Sequence, residues 1–252
     1  MKMIMRADDL GISEGVNYGI RKAVREGVIT SVGLMTNMPY AQQGYEFIKD
    51  EDLAIGLHCC ISTGSPLSDP KLIPSLVSGH QFIKSQVINQ RTKDTVCVEE
   101  AILEIEAQYQ RFLEIVGRKP DYIEAHAVES ENFYQALGIV AKRYDILYGV
   151  SDHDEFFDRY FKHMPLYELD ENNMYDPMSY FQKHLDFIRS PRITIAYFHP
   201  GFLDWDIIQK SSYQWIRPME CDFVVSQQFI NWLKDNDIEC IDYRIVKEEN
   251  WK

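Results

Sequence analysis

Met3-Ile4-Met5-Arg6-Ala7-Asp8-Asp9-Leu10-Gly11-Ile12-Ser13 begins as a short apolar run, stops at two adjacent carboxylates and leads into a helix start. The run reads as a strand and Ser13 as an N-cap. Val16, Ile20, Ala23 and Val24 then share one face of residues 14–26, and Gly27 serves as a stop. Two like charges side by side cost free energy unless a cation or a proton relieves them. At a strand end one carboxylate can turn toward a metal while its neighbour faces a water, the division of labour that metal-assisted hydrolysis uses. The plainer reading is a polar turn that caps the next helix.

The same rhythm runs through the chain. Residues 3–7, 31–37, 53–59, 121–127, 145–150, 193–199 and 238–243 are strand candidates. Between them, residues 98–116 place Val98, Ile102, Ile105, Tyr109, Phe112, Leu113 and Val116 on one stripe closed by Gly117, and residues 222–234 repeat the pattern with Phe223, Val224, Phe229, Ile230 and Leu233. Strands alternating with helical stretches imply parallel pairing through helical crossovers. An unbroken series of seven such strands predicts an α/β fold, a closed (β/α) barrel of about seven parallel strands, with an open doubly wound sheet as the alternative. No Pro/Ser-rich linker or repeat intervenes, so residues 1–252 are expected to form one domain. Residues 60–96 and 151–177 break the rhythm as long polar loops, of the kind that form lids, binding loops or subunit contacts. The second carries Phe156, Phe157, Tyr160, Phe161, Tyr167 and Tyr175.

Composition narrows the partners. A formal charge of −13 argues against nucleic acid or an anionic membrane, since both need a basic face. Five cysteines, with only Cys59 and Cys60 adjacent, form neither a disulfide framework nor a CxxC zinc pattern, so reduced thiols in a cytoplasm are expected. Met3-Ile4-Met5 is too short for a signal-peptide core, and no apolar run reaches membrane-span length.

In α/β barrels the chemistry gathers at the carboxyl ends of the strands. Here the first candidate ends at Asp8-Asp9, the third at His58, the fourth at His126 and the sixth at His199. A lone strand-end histidine is more often structural than a ligand; three converging on a carboxylate pair reverse that preference. One Asp and two His supply three ligands and leave a position for water, as a catalytic divalent metal requires. His80, His153, His163 and His184 are read as solvent-exposed residues of loops or helix faces.

Ala7-Asp8-Asp9-Leu10-Gly11-Ile12-Ser13, Gly56-Leu57-His58, Ser62-Thr63-Gly64-Ser65-Pro66-Leu67, Gly117-Arg118-Lys119-Pro120 with His126, and His199-Pro200-Gly201 occur in an order that resembles the YdjC/ChbG-like carbohydrate deacetylase family. The resemblance spans nearly the whole chain. It implies a seven-stranded barrel of the glycoside hydrolase/deacetylase type and one divalent metal ion, Mg²⁺ or Zn²⁺, held by Asp9, His58 and His126. It also implies removal of acetyl groups from N-acetylated sugars, as in chitooligosaccharide deacetylases, by a cytoplasmic homodimer. Two departures stand out. The family's Asn before Ala-Asp-Asp is Arg6, and its Asp-x-His-x-His-x-His reads Glu124-Ala125-His126-Ala127-Val128-Glu129-Ser130.

Amide hydrolysis needs a base for water and an acid for the departing amine on opposite sides of the intermediate. Asp8 is the candidate base and His199 the candidate acid, though His199 also fits a core histidine bonded by a carbonyl. Trp205 and Trp215 are candidate sugar platforms, and Arg217 could bind hydroxyls or orient Asp8. A metal-dependent phosphoesterase would need more His and Asp than this set offers. The missing histidines keep open a catalytically weak or inactive sugar-binding protein on the same fold, which acetate release from N,N′-diacetylchitobiose would separate from an enzyme.

Overall fold

Strand β1 (Lys2–Leu10) sends Met3, Met5 and Ala7 to one face and Ile4, Arg6 and Asp8 to the other, as the two-residue period of a strand requires. The first set packs with Val16, Ile20 and Ala23 of helix α1 (Glu14–Glu26), whereas Ile4 joins a separate apolar cluster. In this computed structural model, which describes residues 1–150, 153–171 and 174–248, β1 is the hub of a parallel sheet. Its other strands are β2 (Ser31–Leu34), β3 (Ala54–Cys59), β4 (Tyr122–Ala125), β5 (Leu147–Tyr148), β6 (Phe161–His163), β7 (Ile193–Phe198) and β8 (Glu239–Ile241). Seven of them follow one another in the order β5-β4-β3-β2-β1-β7-β6, and β8 pairs only with the start of β1, Lys2 to Ile4.

The sheet curls into a half-barrel with helices outside. The expected seven-stranded barrel is therefore present, but backbone pairing does not close it: among the described residues its end strands, β5 and β6, are not bonded to each other. The short helix Glu155–Tyr160 comes between β5 and β6 in sequence and puts Phe157 against Phe161, ring centroids 5.0 Å apart.

All seven expected strands occur, and the structure adds β6, which the sequence pattern does not predict. It lies in the aromatic stretch read as loop, of which residues 151–152 and 172–173 fall outside the described set. Three residues are too few to show an alternation. The helix expected over 222–234 is two, α5 (Ile216–Val224) and α6 (Gln227–Asp235), because Ser226 caps the second with its hydroxyl on the Phe229 N–H. Helix α2 (Ala41–Ile48) lies between β2 and β3 in sequence; helix α3 (Val98–Val116) has the bounds expected of it and ends at Gly117, whose φ of 76° is the left-handed stop. Helix α4 (Glu131–Tyr144) starts at the Ser130 cap. Among the described residues no helix is long and apolar enough to cross a membrane.

Inside the curl, Ile4, Ala54, Tyr122, Leu147, Phe161, Ile193 and Ile195 make an apolar floor, joined by Tyr243, Ile245 and Val246 from the C-terminal segment. Two and four residues further along, the same faces carry Arg6 and Asp8 on β1, Gly56 and His58 on β3, Glu124 and then His126 on β4. Strand parity thus stacks an ionisable layer on a hydrocarbon one. Gly56 is required between them, since a Cβ there would lie 2.3 Å from the Tyr122 ring that crosses the floor. Gly56→Ala is expected to destabilise the fold by about 1–3 kcal/mol through overpacking, read as a lower urea midpoint at unchanged slope. An unchanged midpoint would show that Tyr122 gives way freely.

Candidate active site

Asp8 and Asp9 would point to opposite faces of a regular strand. Instead the register of β1 on β2 shifts between Ala7 and Leu10, and Asp9 adopts a left-handed backbone with φ 71°. Such a conformation costs a non-glycine residue about 1–3 kcal/mol, and here it brings both carboxylates to the mouth. The Asp9 Oδ1 atom is 3.2 Å from His58 Nε2 and 3.0 Å from His126 Nδ1, and those two nitrogens are 3.0 Å apart. Both contacts to Oδ1 lack the alignment of a hydrogen bond, so this buried oxygen has no hydrogen-bond partner.

A carboxylate and two imidazoles in a triangle of this size fit a divalent ion. Ligands at about 2.0–2.2 Å from a metal, spread by 90–110°, lie about 3.0–3.5 Å from one another. The second interaction of each donor holds it in place. His58 Nδ1 hydrogen-bonds Glu124 Oε1, the carboxylate–histidine pairing that fixes a ligand's ring. Arg217 donates from Nη2 to Asp9 Oδ2 at 2.7 Å. His126 is followed by Ala127 at φ 52°. Asn89 brackets that turn, donating to the Ala127 carbonyl at 3.2 Å and accepting from Glu129 N at 3.0 Å.

Asp8 has a different neighbour. Arg6 grips it with two bonds, Nε to Oδ1 at 2.7 Å and Nη2 to Oδ2 at 2.8 Å. The same guanidinium lies 3.6 Å from Glu124 Oε2 and donates to the Tyr243 hydroxyl at 3.3 Å. All three charged groups are buried. Burial pushes the Asp9 carboxyl up, but Arg217 and His126 outweigh it and hold it well below its ordinary range. Burial opposes Glu124 in the same way, and Arg6 and His58 bring it down. His58 moves well above the usual histidine value, since Glu124 and Asp8 together exceed the burial penalty.

These groups line a cavity of about 750 Å³ together with His163, Tyr197, His199, Lys210 and Tyr213, a size usual for small-ligand sites. A second cavity of about 760 Å³ runs along α4, so volume does not single out the site; the convergent carboxylates and imidazoles do. His199 follows β7 at the rim, with Nδ1 buried and unbonded, and burial pushes its pKa down to about 4.

The structure gathers Asp8, Asp9, His58, His126, His199 and Arg217 as the sequence suggests, with two differences of detail. Arg217 pairs with Asp9 rather than Asp8, and its Nε donates to the Tyr213 carbonyl. Trp205 and Trp215 are 71% and 64% exposed and stand outside the cavity lining. His163, expected to be solvent-exposed, instead ends β6 and lines the cavity half-buried, where burial takes its pKa to about 3. Arg6 and Glu124 were given no role from sequence. Their positions two residues before Asp8 and His126 were the available signal, because the strand period places them on the same face.

Arg6→Met leaves Asp8 and Glu124 buried without their cation and is expected to cost about 3–5 kcal/mol at pH 7. A carboxyl held below its ordinary value stabilises the fold fully above the unfolded carboxylate range, near pH 4.3, and loses that contribution as pH falls through its folded value. The gap between Arg6→Met and the parent should therefore narrow only below about pH 4, checked by denaturant melts at pH 7 and about pH 3. A constant gap would show that charge is not what Arg6 contributes.

Residues 2–235 match the family described as YdjC-like protein. The chain is 28% identical to a carbohydrate deacetylase of Clostridium beijerinckii, covering 98% of this chain and 100% of that one. It is 29% identical to carbohydrate deacetylase 2 of Listeria innocua, covering 99% and 100%. Among solved structures, an Enterococcus faecalis V583 protein described as a candidate cellobiose-phosphate cleavage protein superposes with a TM-score of 0.83 at 22% identity, covering 97% and 98%. A family 4 acetyl xylan esterase from Clostridium thermocellum shares the fold more distantly, with a TM-score of 0.52 at 11% identity over 98% and 92% of the two chains. The chain belongs to the YdjC-like family.

Proposed function

We propose that this YdjC-like chain removes acetyl groups from N-acetylated sugars, using one divalent ion held by Asp9, His58 and His126. The observation that carries the reading is the triangle of donor atoms 3.0–3.2 Å apart around an unbonded buried Asp9 oxygen, with a second carboxylate beside it. The relatives named as carbohydrate deacetylases supply the substrate class. The donor set suits Zn²⁺ through its imidazoles and tolerates Mg²⁺ through its carboxylate. A bound divalent ion polarises an acyl oxygen and makes water acidic.

The chain's own residues do the rest. Asp8 is the base that accepts the proton of the attacking water; Arg6 occupies one lone pair on each of its oxygens and fixes the carboxylate's plane. Arg217 holds Asp9 and leaves Oδ1 to the ion. His199 gives a proton to the departing amine. In the unliganded protein it is neutral near pH 7, its pKa being about 4, and negative charge developing on the substrate beside it raises that value. Lys210, Tyr213 and His163 offer polar contacts to sugar hydroxyls at the rim. Exposed Phe202, Trp205 and Trp215 give apolar surface consistent with a homodimer, which sedimentation tests.

A second reading is a weak deacetylase or a sugar-binding protein on the same fold. The grip of Arg6 on both Asp8 oxygens favours it, since the guanidinium takes up lone pairs that the proton of an attacking water would use. Acetate release from N-acetylated mono- and oligosaccharides with Mg²⁺, Zn²⁺, Mn²⁺ or Co²⁺ decides between them. Asp8→Asn is expected to abolish release with metal content intact, Asp9→Asn to lose metal, and His199→Ala to slow turnover by about 10²–10⁴-fold. Equal metal loss in both aspartate variants would overturn the separate roles. Diacetylchitobiose is expected to be a poor substrate, and turnover near an ordinary 10 s⁻¹ on it would show that the replaced histidines are dispensable.

A further inference from the structure

Glu220 of α5 is fully buried, yet among the described residues no lysine or arginine pairs with it. Its two oxygens meet different partners. The Tyr175 hydroxyl donates to Oε1 at 2.6 Å, and the backbone N–H of His199 donates to Oε2. Oε2 also lies 4.0 Å from His199 Nδ1, the buried ring nitrogen without a hydrogen bond. Tyr175 is itself fixed, its ring lying parallel on Tyr167 at 4.1 Å and edge-on to Tyr180 at 5.8 Å. Tyr213 meets the His199 ring edge-on at 5.1 Å.

We propose that Glu220, steadied by Tyr175, is the positioning residue of His199: it anchors the histidine's backbone and presents a carboxylate to Nδ1, so that Nε2 is left for the substrate. This rests on the reading of His199 as the acid of a deacetylase. A buried carboxylate without a cation is costly, and two neutral donors do not remove its charge. Burial pushes Glu220 up to about 7 against the bonds from Tyr175 and His199 and the charge of Arg217, with Asp8 adding to the rise. A protonated Glu220 beside a neutral imidazole and a carboxylate beside an imidazolium differ only in where one proton sits. His199 can therefore become charged without adding net charge to the buried pair. The aromatic segment after β6 thereby acquires a function, because Tyr175 carries its packing into the site.

Glu220→Gln and Tyr175→Phe test this in the metal-loaded protein. Glu220→Gln is expected to lower kcat by about 10–100-fold, the range for an outer partner that orients a histidine, with KM and metal content within about twofold, Glu220→Asp to recover part of the loss, and Tyr175→Phe to show a smaller drop of the same kind. Imidazole NMR of His199 supplies a readout free of turnover: its resonances should shift and split in Glu220→Gln at pH 7 while those of His80 stay put. Unchanged kcat in Glu220→Gln, a loss tracking metal or folding, or an unmoved His199 signal would overturn the proposal. If the parent protein releases no acetate, the deacetylase reading falls, and the NMR arm still decides whether Glu220 positions His199.

Discussion

Three carboxylates, Asp8, Asp9 and Glu124, are buried within a few ångströms of one another, and the fold bears that cost because two guanidiniums from different elements reach them. Arg6 rises from the floor on the same strand as Asp8 and spans to Glu124. Arg217 of α5 donates to Asp9. An unpaired buried charge costs several kcal/mol, so the position of each arginine constrains its carboxylate and, through Glu124, the His58 ring. Gly33 belongs to the same constraint, since a Cβ there would crowd His58, Asp8 and Glu124 at 3.1–3.2 Å.

That balance depends on strand parity, and parity is broken at one residue. Ile4, Arg6 and Asp8 point inward by the period of two, whereas Asp9 reaches the mouth only through its left-handed backbone and the register shift of β1. Local strain there lets adjacent carboxylates share the mouth with different partners, Arg6 on Asp8 and Arg217 on Asp9. Support on the other side of the site is built differently. Buried Glu104 and Gln108 of α3 tie down the chain after β3: Glu104 accepts from Leu67 N and Ser68 N, and Gln108 bonds both backbone groups of Cys60.

The sequence makes legible what repeats and hides what is single. The seven expected strands and the inward set of Asp8, His58 and His126 follow from alternation. Glu124 and Arg6 obey the same alternation, but a charged residue two positions inside a strand end is easily taken for a surface group until the neighbouring strands are in place. Glu104 and Gln108 fall at helical spacing beside Ala101, Ile105 and Phe112, so their polarity conceals a buried face. His163 was invisible for another reason: β6 spans three residues in an aromatic stretch without period, and only its pairing with Ile193 to Ile195 defines it. Trp205 and Trp215 show the converse, aromatic residues near the site in sequence that face solvent.

The apolar floor has a consequence for traffic. Ile4, Tyr122, Phe161 and Ile195 fill the amino-terminal end of the curl, and Tyr243, Ile245 and Val246 stopper it from below. Among the described residues that hydrocarbon fills the amino-terminal end, and the cavity opens at the mouth. Anything that reaches the Asp9, His58 and His126 donor atoms therefore comes from the mouth, past the lining residues His199, Lys210 and Tyr213.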